Sequence, residues 1–477
     1  MHINTEAART SGVWLSMLAL TACAAVQPDA RLPQVRELAG EQLGQNIAWA
    51  RDAQQEQLLK SAVNRLLQQE LTQESAVQIA LLNNRELQAT YASLGVAQAD
   101  LVEAGLLDNP VFTLTWYHGS AGVAPELSVV QDFIGLLSLA ARKKVGQAAA
   151  DRVTFEVASR IVGMASDVKG QYYTLVGDAQ ALELAQQVVS ATEAAAELAE
   201  RQRAAGNLSL RDQALQQAFY AQTLLDLAQA EAALAADREK LNRLLGVWGA
   251  DTRWRIPEHL PAVPRELPSL GDLEARAIEQ RLDLAAAKKQ AEGAAQALNL
   301  TRQFRYLGPL GIGVAYKREA NGDHFAGPTV ELGLPIFNQS QARVARAELE
   351  LQRSLQQVTA LAVDIRSQAR EARTRVTAAH QVVGHYRGVL LPLQETIVGE
   401  TQKQYNGMLV GVYDLLLSKQ AQVQTARQYV VATRDFWLAW ADLERAAGAR
   451  VPLPATRDEE SAPAQDAPQH EPGAHKP

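Results

Sequence analysis

Two hydrophobic periods divide this chain. Between residues 340 and 405, Val344, Leu351, Val358, Ile365, Ala372 and Ala379 recur every seventh residue, and Leu355, Ala362, Ala369, Val376, Val383 and Leu390 form a companion row four residues on. Two such rows make an a/d seam, the pattern of helices that pack as coiled coils. At 1.5 Å per residue the segment predicts a helix roughly 90–100 Å long, kinked at Pro392. A turn at Asn406-Gly407 follows, then a further heptad row of Leu409, Leu416, Val423, Val430 and Trp437. In the first half of the chain Ala214, Ala221, Ala228 and Ala235 hold the matching frame. Small side chains at a seam predict close helix–helix approach, as in a tightly wound assembly; an ordinary antiparallel coiled coil is the alternative that periodicity leaves open.

Four shorter segments alternate with period two. Thr329–Phe337 places Val330, Leu332, Leu334 and Ile336 on one face against Thr329, Glu331, Gly333 and Pro335. Leu310–Tyr316 sets large apolar residues against Gly311, Gly313 and Ala315, and Val111–Tyr117 sets Phe112, Leu114 and Trp116 against Thr113 and Thr115. Leu127–Phe133 alternates less cleanly. Alternating segments with aromatic ends match the wall of an outer-membrane β-barrel. Four strands cannot close such a barrel, which needs at least eight, and an open sheet in lipid leaves unpaired edge groups costing several kcal/mol each. Closure among chains is therefore required if the strands lie in lipid, and three chains would supply about twelve strands. A small soluble sheet capping a helical bundle is the alternative.

The chain also repeats itself. Asn84–Ala89 returns as Arg281–Ala286, Leu241–Gly246 as Leu443–Gly448, and Asp212 as Asp414. Each copy reads long helix, strand pair, very long helix, turn, long helix. This is a duplicated multi-element unit and not a short solenoid repeat. The boundaries are 71–250 for the first repeat and 268–448 for the second, after a leader over 23–70 and before a Pro- and charge-rich tail over 451–477 that reads as disordered.

Composition narrows the options. Apolar residues reach 47% but aromatics only 5%, because much of the apolar count is Ala; this argues against ordinary globular cores. A net charge of −7 with scattered basic residues gives no reason to expect nucleic acid. Residues 1–22 read as an export signal with the short apolar core Val13–Leu20, and Leu20-Thr21-Ala22-Cys23 is similar to a bacterial lipobox. Cys23 is the sole cysteine, so it cannot form an intramolecular disulfide and a lipid anchor would account for it. Ala24 fits sorting to the outer membrane. No later run of 18 apolar residues predicts a transmembrane helix.

Taken together these residues resemble the outer-membrane efflux protein family, of which TolC is the best-known member, over most of residues 70–448. The resemblance is carried by Leu71–Leu87 for the opening helix, Leu334-Pro335-Ile336-Phe337-Asn338-Gln339 for the exit from the last strand, and Gln404-Tyr405-Asn406-Gly407 with Asp414-Leu415-Leu416 for the helix-turn-helix tip. It implies a mainly helical TolC-like fold, in which long coiled-coil helices form an α-barrel. Four strands per chain would contribute to a 12-stranded β-barrel in a homotrimer. It also implies outer-membrane localisation with extension into the periplasm, and partnership with a periplasmic adaptor and an inner-membrane RND pump. Tip and adaptor-docking positions carried over are Gly206, Asn207, Leu208 and Ser209 in the first copy and Met408, Leu409, Val410 and Gly411 in the second.

Gate positions are Arg211, Asp212 and Asp414. The family's Gly stands six before the Asp; Gly206 keeps that spacing to Asp212, whereas Met408 replaces it in the second copy. Leu417 replaces a second acidic ring position. A link from Arg211 to Asp414 would hold the gate shut.

Enzyme constellations are absent from the sequence: there is no phosphate-cradling Gly loop and no Gly-x-Ser-x-Gly elbow. His380 and His385 do not share a helix face as zinc ligands would. His118 and His324 are expected in strand-connecting loops, and His470 and His475 in the tail. No cofactor is expected. The reading is a passive exit duct of a tripartite efflux system, with similarity to heavy-metal cation members at Gln404–Val412 and Leu334–Asn338. A type I protein-secretion duct and a non-pore coiled-coil periplasmic lipoprotein are the rivals.

Overall fold

A computed structural model describes residues 26–119, 122–319 and 321–453. The signal segment, Cys23, His470 and His475 lie outside the described residues. After a short helical leader over 32–43, the order is α1 (Ala53–Leu67), α2 (Gln73–Asn83), α3 (Arg85–Ala104), β1 (Val111–Gly119), β2 (Gly122–Asp132), α4 (Phe133–Ala204) and α5 (Leu210–Leu245). A strap over 246–272 leads to α6 (Leu273–Gln280), α7 (Leu282–Phe304), β3 (Leu310–Arg318), β4 (His324–Leu332), α8 (Gln341–His385), α9 (Leu391–Asn406) and α10 (Val412–Ala447). Each half thus runs helix pair, strand pair, long helix, tip, long helix.

Matching junctions sit in matching places. Gly246 ends α5 with φ 68°, and a Cβ there would lie 2.9 Å from the Asn83 carbonyl oxygen; Gly448 ends α10 with φ 70° against the Arg281 backbone. Glycine is the residue for a left-handed helix stop. Asn84 caps α3 through the Leu87 N–H and donates from Nδ2 to the Leu244 carbonyl at 2.9 Å.

The helix α4 has 72 residues, which at 1.5 Å each spans roughly 110 Å. Its counterpart is broken. A π-helical turn, Tyr386–Leu390, separates α8 from α9, and Pro392 stands in the first turn of α9. The expected kink is therefore a local unwinding just before the proline, which has no N–H to give and whose ring would strike the carbonyl four residues back. The extra residue in that turn shifts the heptad frame. Ile365, Ala369, Ala372, Val376 and Val383 are buried as the seam predicts, but Leu393 and Ile397, which continue its two rows, are exposed, and Val398 is buried instead.

The alanine row of α5 does not form a seam within the chain. Ala214, Ala221, Ala228 and Ala235 are all exposed. The face toward α4 is Tyr220, Thr223, Leu227, Ala230, Leu234, Asp237 and Leu241, at the same period one step over. Tyr220, Leu227, Leu234 and Leu241 gain more by burial there than an alanine methyl would, while Leu215, Leu224 and Leu225 of the same helix stay exposed. The expectation of no ordinary core is corrected. A large hydrophobic core gathers midway along the helices, with a small second cluster of Ala97, Leu101 and Ala150 between α3 and α4, and many of the scarce aromatics pack in the large one: Trp437 stacks on Tyr173 at 5.3 Å and meets Phe436 edge-on at 5.2 Å. The leader joins it through Leu32, Val35, Ala39 and Ile47, and α1 through Val63. The strap is pinned to it by Trp254 Nε1 to Asn242 and Trp437 Nε1 to the Pro261 carbonyl, both 2.9 Å.

Candidate functional site

The four strands form one antiparallel sheet in the order β1-β2-β3-β4. Its register puts Phe112 opposite Val129, Leu114 opposite Leu127, Leu127 opposite Tyr316, Val129 opposite Val314, and Ile312 opposite Val330. These side chains share one face, and most are exposed, Val314 at 62% and Val330 at 64%. The other face carries Thr113, Thr115, Glu126, Ser128, Lys317, Thr329 and Glu331, with Glu126 opposite Lys317. Gly311 and Gly313 leave room for Val130, whose Cγ1 would stand 2.5 Å from a Cβ on Gly311. β1 and β4 are outer strands with no partner on their far sides among the described residues.

Three details differ from the sequence reading. The last strand stops at Leu332, so Leu334 and Ile336 lie beyond it, exposed; Gly333 is pressed against Pro309 there. β2 begins at Gly122, well before Leu127. His118 and His324 lie within β1 and β4 and not in loops; His324 Nδ1 is 2.5 Å from the Tyr316 hydroxyl.

At the far end the helices turn in two tips. In the first, Gly206 takes φ 78° and Ser209 caps α5, its Oγ accepting from the Asp212 N–H at 3.1 Å and donating to the Asp212 carboxylate at 2.6 Å. Asn207 and Leu208 complete the loop, with the Leu208 carbonyl accepting from Arg203. In the second, Met408 takes φ 57°. It occupies the left-handed position that Gly206 holds, so the departure seen in the sequence is absorbed by backbone strain, about 1–2 kcal/mol for a residue with a side chain. Gly411 caps α10 and donates its N–H to the Asp414 carboxylate at 3.0 Å. Met408 and Leu409 are 94% and 79% exposed, with Val410 half-buried beside them.

The two tips touch through residues the sequence reading missed. Tyr413 donates to the Gln202 side-chain oxygen at 2.9 Å. Burial, and next to it the Asp212 charge, pushes the Tyr413 phenol up, so it stays a donor. Neither residue sits in a motif; only its place one before Asp414 singled Tyr413 out. Within one chain Arg211 does not reach Asp414, whose carboxylate is engaged by its own turn.

Higher up, Asp178 of α4, Asp237 of α5 and Arg434 of α10 meet. Arg434 is 3.4 Å from Asp178 and its stem lies over Gly177. Asp237 accepts from Lys240 at 2.6 Å and from Gln171 at 3.2 Å. Burial, then a hydrogen bond to Asp237, pushes the Asp178 carboxyl up to about 6, against the opposing pull of Arg434. Between this cluster and the tip, α10 parts from the α4–α5 hairpin around a cavity of about 360 Å³, lined by Leu184, Val188, Phe219, Leu417 and Val423 among others. Among the described residues no group of three or more His, Cys, Asp or Glu is placed to hold a metal. No described helix is long and apolar enough to cross a membrane, which says nothing of a β-barrel.

No protein-family model matches the sequence. The cobalt-zinc-cadmium resistance protein CzcC of Cupriavidus metallidurans is 23% identical over 349 residues, 72% of this chain and 79% of that protein. Three solved structures share the architecture. A membrane protein from Pseudomonas aeruginosa superposes with a TM-score of 0.67 at 17% identity, covering 84% of this chain and 93% of the other. CusC, described in its transmembrane channel formation, gives 0.65 at 15%, covering 80% and 93%. The outer membrane protein VceC of Vibrio cholerae gives 0.65 at 17%, covering 82% and 96%. At these identities the likeness is one of fold.

Proposed function

We propose that this chain, which has the fold of the TolC-like outer-membrane channels, is the passive exit duct of a tripartite RND-type efflux system. The sheet carries the proposal. One face is apolar and exposed and the other polar, and both edges are unpaired among the described residues of the chain. Such a sheet is stable in lipid only when copies close it into a barrel. Three copies, with about twelve strands, suffice. The exposed alanine face of α5 offers the helical region a matching close contact with a neighbouring copy. A coiled-coil spacer would have no use for a lipid-compatible sheet face.

The duct performs no chemistry. Its interior is the polar sheet face continued by the helices, and the force comes from a pump in the inner membrane through a periplasmic adaptor. The exposed Met408 and Leu409, with Val410, Gly411, Gly206, Asn207, Leu208 and Ser209, form the docking end. Docking untwists the tips. Three Asp414 carboxylates around a narrow axis would favour cations, and Arg211 of one copy is free to approach Asp212 or Asp414 of the next. Cys23 anchors the chain in the outer membrane. The CzcC relative, with the resemblance at the second tip, supports heavy-metal cations as cargo.

Purified protein in planar bilayers, with its mass measured in parallel, tests this. Trimers with stepwise conductance are expected, and metal sensitivity on deletion of the gene. A stable monomer without conductance refutes the duct; a conducting trimer whose deletion leaves metal tolerance unchanged refutes the cargo.

A further inference from the structure

Every chain passage between sheet and helices exposes large apolar side chains at the same end of the sheet. Leu107 leaves α3, Leu137 enters α4, Tyr306 and Leu307 leave α7, and Ile336 and Phe337 follow β4; all are exposed, Phe337 at 94%. Directly beyond this belt, on the helix side, lie cations. Lys143 and Lys144 stand seven residues beyond Leu136 and Leu137 on the same faces of α4, roughly 10 Å along the axis. Arg305 precedes Tyr306 and stacks on its ring at 4.4 Å.

Three acids near the junction are engaged elsewhere: Asp108 lies 3.9 Å from Arg142, Glu348 2.5 Å from Arg302 and Glu350 2.9 Å from Arg346; Glu103, exposed at the end of α3, is the acid nearest Lys143 along the chain fold and makes no ion pair among the described residues. Lys143, Lys144 and Arg305 make no ion pair among the described residues.

We infer that the sheet–helix junction is a binding surface for anionic phospholipid headgroups of the periplasmic leaflet. It rests on the outer-membrane reading above. Apolar side chains at the acyl boundary with lysine and arginine one layer below is the arrangement that holds phosphate at a membrane surface, where Arg takes oxygen acceptors through its planar fork. The phosphate oxygens meet the exposed Lys143 and Lys144 and the Arg305 guanidinium beside Tyr306, and the acyl chains cover Leu107, Leu137 and Phe337.

The full-length protein and the K143Q/K144Q/R305Q variant are reconstituted into phosphatidylcholine vesicles with and without phosphatidylglycerol, purified, and their retained lipids measured by mass spectrometry. Single-channel conductance is recorded on the same samples. The wild type is expected to enrich phosphatidylglycerol over phosphatidylcholine, and the enrichment to fall roughly fivefold per cation removed, the factor equivalent to about 1 kcal/mol each. K143Q/K144Q, which leaves the Arg305–Tyr306 stack intact, is expected to show most of the loss. A conducting wild type without enrichment, or variants that keep it, overturns the inference while leaving the duct standing. Loss of the oligomer with unchanged enrichment also overturns it, since the cations would then serve contact between copies. A wild type that never conducts refutes the duct itself.

Discussion

The bond from Tyr413 to Gln202 is the one side-chain hydrogen bond found between the two tips among the described residues, and Tyr413→Phe removes its hydroxyl while keeping the ring. The next polar tie between α10 and the α4–α5 hairpin is Arg434 to Asp178, 21 residues up α10 and so roughly 30 Å away. Between the two lies the cavity floored by Leu184 and Phe219, where little packing holds the helix. Release of the lower tie therefore frees a long lever. A neutral hydrogen bond contributes about 0.5–1.5 kcal/mol net. Gln202 is half-buried and water can reach its freed oxygen, so the low end applies: about 0.5–1 kcal/mol, or roughly two- to fivefold in the equilibrium between tied and untied tips. Single-channel recording gives the open fraction directly, and Gln202→Ala with the double variant completes the cycle. Tyr413→Phe is expected to shift the tied–untied equilibrium of each tip by that factor, and so to raise the open fraction of an assembly carrying three such ties by at least as much, with no further rise in the double variant. An unchanged open fraction, or effects that simply add, would refute the tie.

Four other outcomes follow. Met408→Gly relieves a left-handed side-chain residue but gains chain entropy when unfolded; protection of the tip amides from hydrogen exchange should rise by about 0.5–1 kcal/mol, and a fall would remove the strain argument. Asp178 titrates in the native state at about 6, above its usual 3.8, so its stabilisation is full at acid pH and lost as pH rises through 6. Melting of the assembly should drop between pH 4.5 and 7 by about 1–2 kcal/mol after allowance for solvent screening, and Asp178→Asn should flatten that slope. Gly246→Ala and Gly448→Ala each force a Cβ against backbone in a left-handed turn and should cost about 2–3 kcal/mol; Gly249→Ala, at φ 63° in open space, should cost only about 1 kcal/mol in the same denaturation series. Ala221→Glu with Ala228→Glu, on the exposed face of α5, should leave the chain helical yet block assembly, read by mass; normal trimers would place the contact between copies elsewhere.

Period-two alternation is local, so Val111–Tyr117 and Leu310–Tyr316 were legible as strands from their side chains alone. The first half of β2 was hidden by Pro125. Its missing N–H is tolerated because β3 pairs only from Glu126 onward, a reason not visible before the strands are ordered. Leu334–Phe337 shows the converse: alternation persisted where the ladder had already ended. The tips were legible in outline through Gly206, Asp212 and Asp414, but that Met408 bends as glycine does could be learned only from its backbone.

Helix length and the existence of seams were likewise written in the sequence, since a repeat of seven fixes the angle between successive apolar residues. Which row became the seam was not. In α5 three rows share one period, and packing against α4 took the Tyr220–Leu241 row while Leu224 and Leu225 stayed exposed; between α8 and α9 one added residue before Pro392 rotated everything after it. The meetings of Asp178 with Asp237 and Arg434, and of Tyr413 with Gln202, join residues far apart in the chain. No local pattern encodes such contacts, because they depend on where long helices cross, and that is set by the summed burial of their faces.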